Sequence, residues 1–491
     1  MKKWLPEIIL GLLILFYIGF FSYLSVVRYQ AFYASYYDMG IMDQTVYNTF
    51  KGRFLQLTDP EGLTNINRMT IHTDLFLALL APFYYIYSGP ETLLIIQTII
   101  IAFGAWGLYL LGIRIIKNKW LALLFAFAYL MFTPLQRANL YDFHAISMVP
   151  TFLIFMFYFG ETKRYLWSFV FAILAVLTKE EVGLTCAMYG LYTSMTSYFS
   201  VKRDFKQIKF GAIMTVFGAL WIAVIYFYII PLFGKNGAHF AMSRYSQFGT
   251  TPVNIVKNIL FQPFNTLNFI LDIDTLRYFW FLYGPTLFLS FLTPQIAFIP
   301  IFDFAINILS NDPNMKNIIY QYTSAITPFV FISAIYGFAK LRQKFKNINL
   351  NVVGIAILVA VMLFSMVKSP LPYSQEAELH PFLYPAANIK EINEWANKLV
   401  DDSLIISTTP RLAAHFTHHK VFYVFDERFN KSDYIVIAKS DITQRQYPYD
   451  SGIDADYLAL QKSKLFERIY NVGNLEVYKK IKPLAVSETE L

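Results

Sequence analysis

Thr92–Ile116 reads TLLIIQTIIIAFGAWGLYLLGIRII, and its only charged residue is Arg114. About twenty predominantly apolar residues in a helix cross the hydrocarbon core of a bilayer, so this stretch is long enough to span. Arg114, Lys117 and Lys119 close it. Loops on the cytoplasmic side carry the excess of Lys and Arg, so this end is read as the inner face. The composition agrees with a chain built of such segments: 56% of residues are hydrophobic, 15% are charged and the mean hydropathy is +0.43. Soluble domains carry roughly a quarter charged residues. The net charge of +8 sits largely in short loops, where it sets orientation. No basic face interleaved with aromatics is present, which argues against nucleic acid as a partner. Cys186 is the single cysteine, so neither a disulfide framework nor a thiolate metal site can be built.

Upstream of this segment, Met1-Lys2-Lys3 precedes an apolar run from Ile8 to Val27. No small-residue cleavage site follows, so the run is read as an uncleaved first span with its N-terminus inside. The loop from Arg28 to Asp74 then lies outside. Leu75–Tyr87 is short, carries Pro82 and is broken by Gly89-Pro90. It reads as a re-entrant or interfacial segment.

Downstream, nine more spans are expected. They are Leu121–Thr133 (ended by Pro134), Ile146–Gly160, Leu166–Leu177, Val182–Phe199, Phe210–Phe233, Tyr278–Leu292, Ile296–Leu309, Thr323–Phe338 and Leu350–Val367. The eighth and ninth spans form a hairpin around Pro294, after a long polar connection from Gly234 to Arg277. This makes about eleven transmembrane helices. The basic turns Lys163-Arg164, Lys202 to Lys209 and Lys340 to Lys346 then fall inside, and the acidic and histidine clusters fall outside.

From Ser369 the composition turns soluble, with Pro370, Pro372, Pro381 and Pro385 marking a linker. Ile389, Ile392, Trp395 and Leu399 recur at helical spacing within Asn388–Val400. Ser403–Ser407, Lys420–Phe425 and Asp433–Ala438 read as strands, with a helix near Arg411–Phe416. Leu465–Tyr470 and Leu475–Lys479 read as a hairpin across Gly473-Asn474. The expected organisation is a transmembrane domain over residues 1–368 and a small extracytoplasmic α/β domain over residues 369–491. No phosphate-cradling glycine loop is present, so ATP and dinucleotide sites are excluded from the latter.

The residues able to do chemistry cluster in the outer loops. Tyr36-Tyr37-Asp38-Met39-Gly40-Ile41-Met42-Asp43-Gln44 lies in the first, which closes with His72-Thr73-Asp74. Ionisable groups this close to a bilayer usually pair, face water or act chemically. Asp38 is placed to accept a proton from an incoming hydroxyl, while helix capping near Ile41 accounts for Asp43 and competes for Asp38. Asp142 and His144 flank Phe143 in the second outer loop. With Asp38 and His72 they form a carboxylate and imidazole set that suits a divalent ion such as Mg or Mn, although nothing in the spacing requires one. Lys179-Glu180-Glu181 sits between two spans without glycine or proline. A solvated turn is the plain reading. The functional one has Lys179 meeting a lipid phosphate, with Glu180 pairing with it or contacting a sugar hydroxyl. Arg244, Gln321 and Tyr322 are further candidates; tyrosine is also common at interfaces for packing alone.

Taken in order, Asp38-x-Gly40-x-x-x-Gln44, His72, Asp142-Phe143-His144, Lys179-Glu180, Gln321-Tyr322 before Pro328, and Ser403 through Tyr434-Ile435-Val436 resemble a prokaryotic family of membrane proteins, domain of unknown function 2079. That family resembles the GT-C glycosyltransferase superfamily. The resemblance implies an enzyme using a polyprenyl-phosphate sugar donor, with Asp38 as catalytic base and Asp142 assisting. Paired acids or basic clusters of later GT-C loops have no clear counterpart here.

The expected function is sugar transfer at the extracytoplasmic face to a glycan, lipid or protein acceptor, around an outer cavity centred on Asp38. Asp38, Asp142 and Glu180 are the expected catalytic set. Asp43, Gln44, His72, His144, Lys179, Arg244, Gln321 and Tyr322 are the expected substrate contacts, with no metal ligand assigned. A transporter or flippase would need charges or broken helices near the bilayer midplane, ideally with an internal repeat. A non-catalytic envelope-assembly protein would use the α/β domain for binding.

Overall fold

The computed structural model describes residues 4–62, 64–234, 240–345, 347–444 and 452–481. Met1-Lys2-Lys3 and Lys346 lie outside the described residues. Among the described residues, four helices are long and apolar enough to cross a membrane: Leu5–Gln30, Pro90–Ile116, Phe205–Phe233 and Leu350–Lys368. Each covers an expected span.

A fifth candidate is the pair Lys119–Leu130 and Thr133–Tyr141, bent by 42°. Pro134 was expected to end this span, and instead it opens the second helix of the pair. A proline ring clashes with the carbonyl four residues back, which here is Leu130, and the first helix stops at that residue. Gln136 Nε2 donates to the freed Leu130 carbonyl at 3.0 Å.

The remaining expected spans are shorter or broken. Val149–Glu161 and Tyr165–Val176 hold 13 and 12 residues. Val182–Tyr198 packs along Phe205–Val224 through glycines. A Cβ on Gly190 would stand 2.5 Å from the Gly211 carbonyl oxygen, and one on Gly211 2.6 Å from that of Gly190. Small residues let helix backbones approach this closely where lipid gives no hydrophobic drive for association.

The hairpin expected around Pro294 is neither of two continuous helices. Ile273–Tyr283 is followed by short turns at Gly284–Thr286 and Leu289–Leu292, then by helices Pro294–Ala297 and Ile301–Ile308. Prolines 285 and 294 open two of these pieces, as a residue without a backbone N–H does most easily at a first turn. The irregular backbone is tied to the buried helix Thr327–Lys344: Ser290 Oγ donates to the Val330 carbonyl at 2.9 Å, and Thr293 Oγ1 to that of Ser333 at 2.8 Å. Non-helical backbone survives at membrane depth when it is buried this way. The long polar connection also differs from expectation, because it contains helices Pro252–Phe261 and Pro263–Ile270.

The C-terminal segment forms a five-stranded mixed sheet. Its strands are β3 (Ile405–Thr408), β4 (Val421–Val424), β5 (Tyr434–Ala438), β6 (Phe466–Val472) and β7 (Leu475–Lys480), in the order β4-β3-β5-β7-β6. β3 runs parallel to both neighbours, with Ile406 facing Phe422 and Ser407 facing Ile435. β6 and β7 form the expected hairpin across Gly473, whose φ is +57°. Ile435, Ile437, Ile442, Ile453, Leu460 and Phe466 form its core. A small two-stranded sheet, β1 (Gln56–Thr58) with β2 (Asn65–Asn67), lies in the first outer loop.

Two compact units emerge. The first comprises Met1–Ser25, Met69–Leu77 and Leu94–Leu379; the second comprises Val26–Arg68, Ala78–Leu93 and His380–Leu491. The boundary expected at 368/369 is drawn at 379/380, and most of the first outer loop folds with the α/β segment. Thr58 Oγ1, on β1, accepts from the Phe422 amide of β4 at 3.0 Å, and Arg53 pairs with Asp402 at 3.0 Å.

Candidate functional site

In the second unit, Ser35 opens a π-helical turn, Tyr36–Gly40, by accepting from the Tyr37 amide at 3.1 Å. The α-helix Ile41–Phe50 continues directly from it. Asp38 is half-buried within the π turn. Asp43 sits in the first turn of the α-helix, where the helix dipole favours a carboxylate.

Capping does not account for Asp43. Its Oδ1 accepts from the Tyr84 hydroxyl at 2.5 Å and its Oδ2 from the Thr417 hydroxyl at 2.5 Å. His418 Nε2 lies 3.0 Å from Oδ2, a close polar contact off the hydrogen-bond axis. The Asp43 side chain is 1% exposed and that of His418 30%. Gln44 is engaged at both ends of its amide. Nε2 donates to Thr58 Oγ1 and to the His419 carbonyl, and Oε1 accepts from the Thr58 amide. It ties the helix to β1 and to the histidine loop.

A cleft of about 620 Å³ opens here. Asp43 and His418 border it, together with Tyr47, Tyr87, Glu91 and Asn393. The side chain of Asp38 does not. His418 stacks on Tyr47 with ring centroids 4.2 Å apart. The other two histidines of the loop are held neutral. His415 lies against Tyr29 and Phe32, at 4.1 and 3.8 Å, and burial pulls it down to about 3. Burial likewise pulls His419 down to about 4.

The first unit carries the other eight expected site residues. His72 Nδ1 lies 2.7 Å from Glu180 Oε1, and the Thr73 amide donates to Glu180 Oε2 at 3.1 Å. Glu180 is therefore a buried acceptor that fixes the segment around His72, rather than the partner of Lys179. Lys179 pairs with Glu181 at 2.7 Å. Burial alone would lower the Lys179 pKa, but Glu181 and Glu180 outweigh it and hold the ammonium above its ordinary value. Lys179 and the Arg244 guanidinium both approach the Tyr322 ring, at 5.7 and 5.9 Å from its centroid. Arg244 also reaches Asp312 at 3.4 Å.

Lys179, Glu181, Asp303, Asn307, Gln321 and Tyr322 border a small cavity of about 20 Å³, room for one water. Gln321 Oε1 is buried there without a hydrogen-bond partner among the described residues. Lys179, Arg244, Gln321 and Tyr322 are thus brought together. Asp142 and His144 are buried two residues apart in extended backbone, where Gln97 donates to the Asp142 carbonyl and accepts from the His144 amide. Among the described residues, no group of three or more His, Cys, Asp or Glu side chains is arranged to hold a metal ion.

Sequence reasoning missed Tyr84, Thr417, His418 and Glu91. One signal was available: three of the chain's seven histidines fall within residues 415–419.

The fold is shared with solved structures of ArnT from Cupriavidus metallidurans. The one bound to undecaprenyl phosphate is 11% identical, with a TM-score of 0.51 over 93% of this chain and 97% of ArnT. The apo form is 12% identical, with a TM-score of 0.52 over 94% and 98%. At such identities the likeness is one of fold. No curated protein matches the chain. The family described as "Predicted membrane protein (DUF2079)" matches residues 28–464. With nearly its whole length so matched, the chain belongs to that family of membrane proteins.

Proposed function

We propose that this protein is a membrane glycosyltransferase that moves a sugar from a polyprenyl-phosphate donor to a glycan, lipid or protein acceptor at the extracytoplasmic face. The observation that carries this reading is the cleft with the Asp43 carboxylate in its wall. Its volume lies in the range of small-molecule sites. Tyr87 offers an aromatic face for the C–H side of a pyranose, and Glu91 and Asn393 offer partners for its hydroxyls. The fold shared with ArnT, whose structure holds undecaprenyl phosphate, supports a lipid-phosphate partner.

In this reading Asp43 replaces Asp38 as the base, because Asp43 borders the cleft. Each carboxylate oxygen accepts one hydrogen bond and keeps capacity for another. The acceptor oxygen bonds to the anomeric carbon with inversion, its proton passes to the carboxylate, and the polyprenyl phosphate leaves. Within the first unit, and as a proposal of its own, Lys179 and Arg244, with Gln321 and Tyr322, form a cationic cluster suited to a lipid phosphate. Asp38, in the turn that runs into the Asp43 helix, is proposed to position that helix, and Asp142, Glu180, His72 and His144 are proposed as polar groups of the first unit. The eleven-span topology, with the N-terminus inside and the α/β segment outside, is supported by the basic turns at Arg114–Lys119 and Lys202–Lys209.

The test is transfer from radiolabelled polyprenyl-phosphate sugars by the reconstituted full chain, with EDTA and Mg or Mn add-back to measure metal dependence. Transfer lost in Asp43→Asn supports the reading. Absence of transfer with every donor offered overturns it.

A further inference from the structure

The connection between Phe233 and Ile273 carries an unexpected surface. Between Pro252 and Leu271 the only charged residue is Lys257. Helix Pro252–Phe261 rests on the protein through Ile255 and Ile259, packed with Phe248 and Leu309. Next to that buried face, Val253, Val256 and Leu260 form an exposed stripe at i, i+3, i+7. Helix Pro263–Ile270 repeats the arrangement: Phe269 and Ile270 pack inward, while Phe264 and Leu267 stand outward, with Phe264 81% exposed. Ile273, Leu276 and Trp280 extend the exposure along the next helix. Amides lie on the other side of each helix, with the exposed Phe261 at the end of the first: Asn265 Nδ2 donates to Gln262 Oε1 at 3.0 Å, and Asn258 Nδ2 reaches inward to the Phe248 carbonyl at 2.6 Å.

We infer that these two helices lie in the plane of the membrane interface, with the Val253/Val256/Leu260 and Phe264/Leu267 stripes sunk into the acyl region of the bilayer. Ten helical residues rise about 15 Å, half of what a crossing needs, so neither helix can span. An apolar arc opposite a polar one is the pattern of helices that lie on a bilayer. Water is a poor neighbour for so contiguous an apolar surface. The occupant is lipid because the stripes run on, through Ile273 and Leu276, to the exposed Trp280, a residue type enriched at membrane boundaries. The chain also exposes Leu220, Val224 and Phe227 on its candidate span Phe205–Phe233.

The buried Cys186 is the only native cysteine, so introduced thiols take a label alone. Val256→Cys, Leu260→Cys, Phe264→Cys and Leu267→Cys, with Asn254→Cys and Asn265→Cys as the amide-face set, receive an environment-sensitive fluorophore. The full chain is then placed in phospholipid nanodiscs. Stripe positions should emit to the blue of the amide positions and lose emission to lipids bearing acyl-chain nitroxides, but not to aqueous iodide. The amide positions should show the reverse. Iodide quenching at all six positions would mean that the helices stand in water and overturn the inference. Blue emission that neither quencher reaches would mean a protein cover, a second copy included, and overturn it equally.

Discussion

Replacing Asp43 with Asn separates a structural from a chemical role for the same carboxylate. The native group accepts from Tyr84 and Thr417, each at 2.5 Å, behind a side chain that is 1% exposed. Asparagine keeps one acceptor oxygen and turns an amide donor toward the other hydroxyl. A buried donor left unsatisfied costs about 1–3 kcal/mol, and the loss of charge assistance puts the change toward the upper end. The thermal midpoint in detergent should therefore fall. Transfer should fall much further, by about 10²–10⁴-fold if the carboxylate moves a proton in the transition state. Thr417→Val removes one donor at a cost of about 1 kcal/mol and leaves the carboxylate in place. Its transfer rate should fall far less than that of Asp43→Asn. Asp38→Asn supplies the comparison, since Asp38 does not border the cleft. Transfer retained in Asp43→Asn and abolished in Asp38→Asn would refute the reasoning from the cleft and return the role to Asp38.

Arg137→Ala should loosen the segment after the last helix. The guanidinium donates to the carbonyls of Lys368, Ser369 and Glu376, at 2.7, 3.2 and 2.5 Å. Its loss strands buried acceptors at a cost of about 3 kcal/mol or more, visible as proteolysis between residues 369 and 379. Unchanged cleavage would count against the clamp. Gly190→Leu should separate Val182–Tyr198 from Phe205–Val224 and lower the midpoint by the equivalent of about 1–3 kcal/mol, with Gly190→Ala intermediate; a midpoint at the native value would mean that the close approach is not tight. His415 and His419, at about 3 and 4, bind fewer protons folded than unfolded, where the imidazole value is about 6.5. The folded form is thus fully favoured above pH ~6.5 and loses stability as pH falls toward ~3–4. His415→Phe keeps a ring between Tyr29 and Phe32 and should flatten that acid slope; an unchanged slope would place the titration elsewhere.

The long helices were legible because a run such as Thr92–Ile116 admits one reading. The broken ones were not, and the reason is local. Hydropathy averages over a window, whereas Pro134 and Pro294 act at single carbonyls and either end or open a helix depending on what satisfies the freed groups. For Leu130 that partner is the Gln136 side chain, while the turns near Ser290 are tied down by their own hydroxyls, which donate to carbonyls of the buried helix Thr327–Lys344. Neither partner is visible in a hydropathy trace. The strands of the α/β segment were found to within two residues because β-branched runs bounded by turns carry their own signal.

The site was half legible for a related reason. A carboxylate in the first outer loop is conspicuous, but which carboxylate matters depends on donors far along the chain. Thr417 lies more than 370 residues from Asp43, and it is the hydroxyl of Thr417, with that of Tyr84, that turns a plausible helix cap into a buried acceptor at a cleft wall. Asp38, five residues earlier, reads the same in sequence and lacks a place at that wall. Lys179 teaches the converse. Its neighbour Glu180 looked like its partner, yet successive residues of a turn point apart, so Glu180 turns to His72 while Lys179 takes Glu181 and meets Arg244 across the Tyr322 ring. Two cations beside the Tyr322 ring, next to an amide oxygen unpartnered among the described residues, form a cationic patch in which a phosphate would take the place of Glu181 and Asp312 and widen a cavity now of about 20 Å³. That is the physical reason to expect Lys179→Met to weaken donor binding more than turnover.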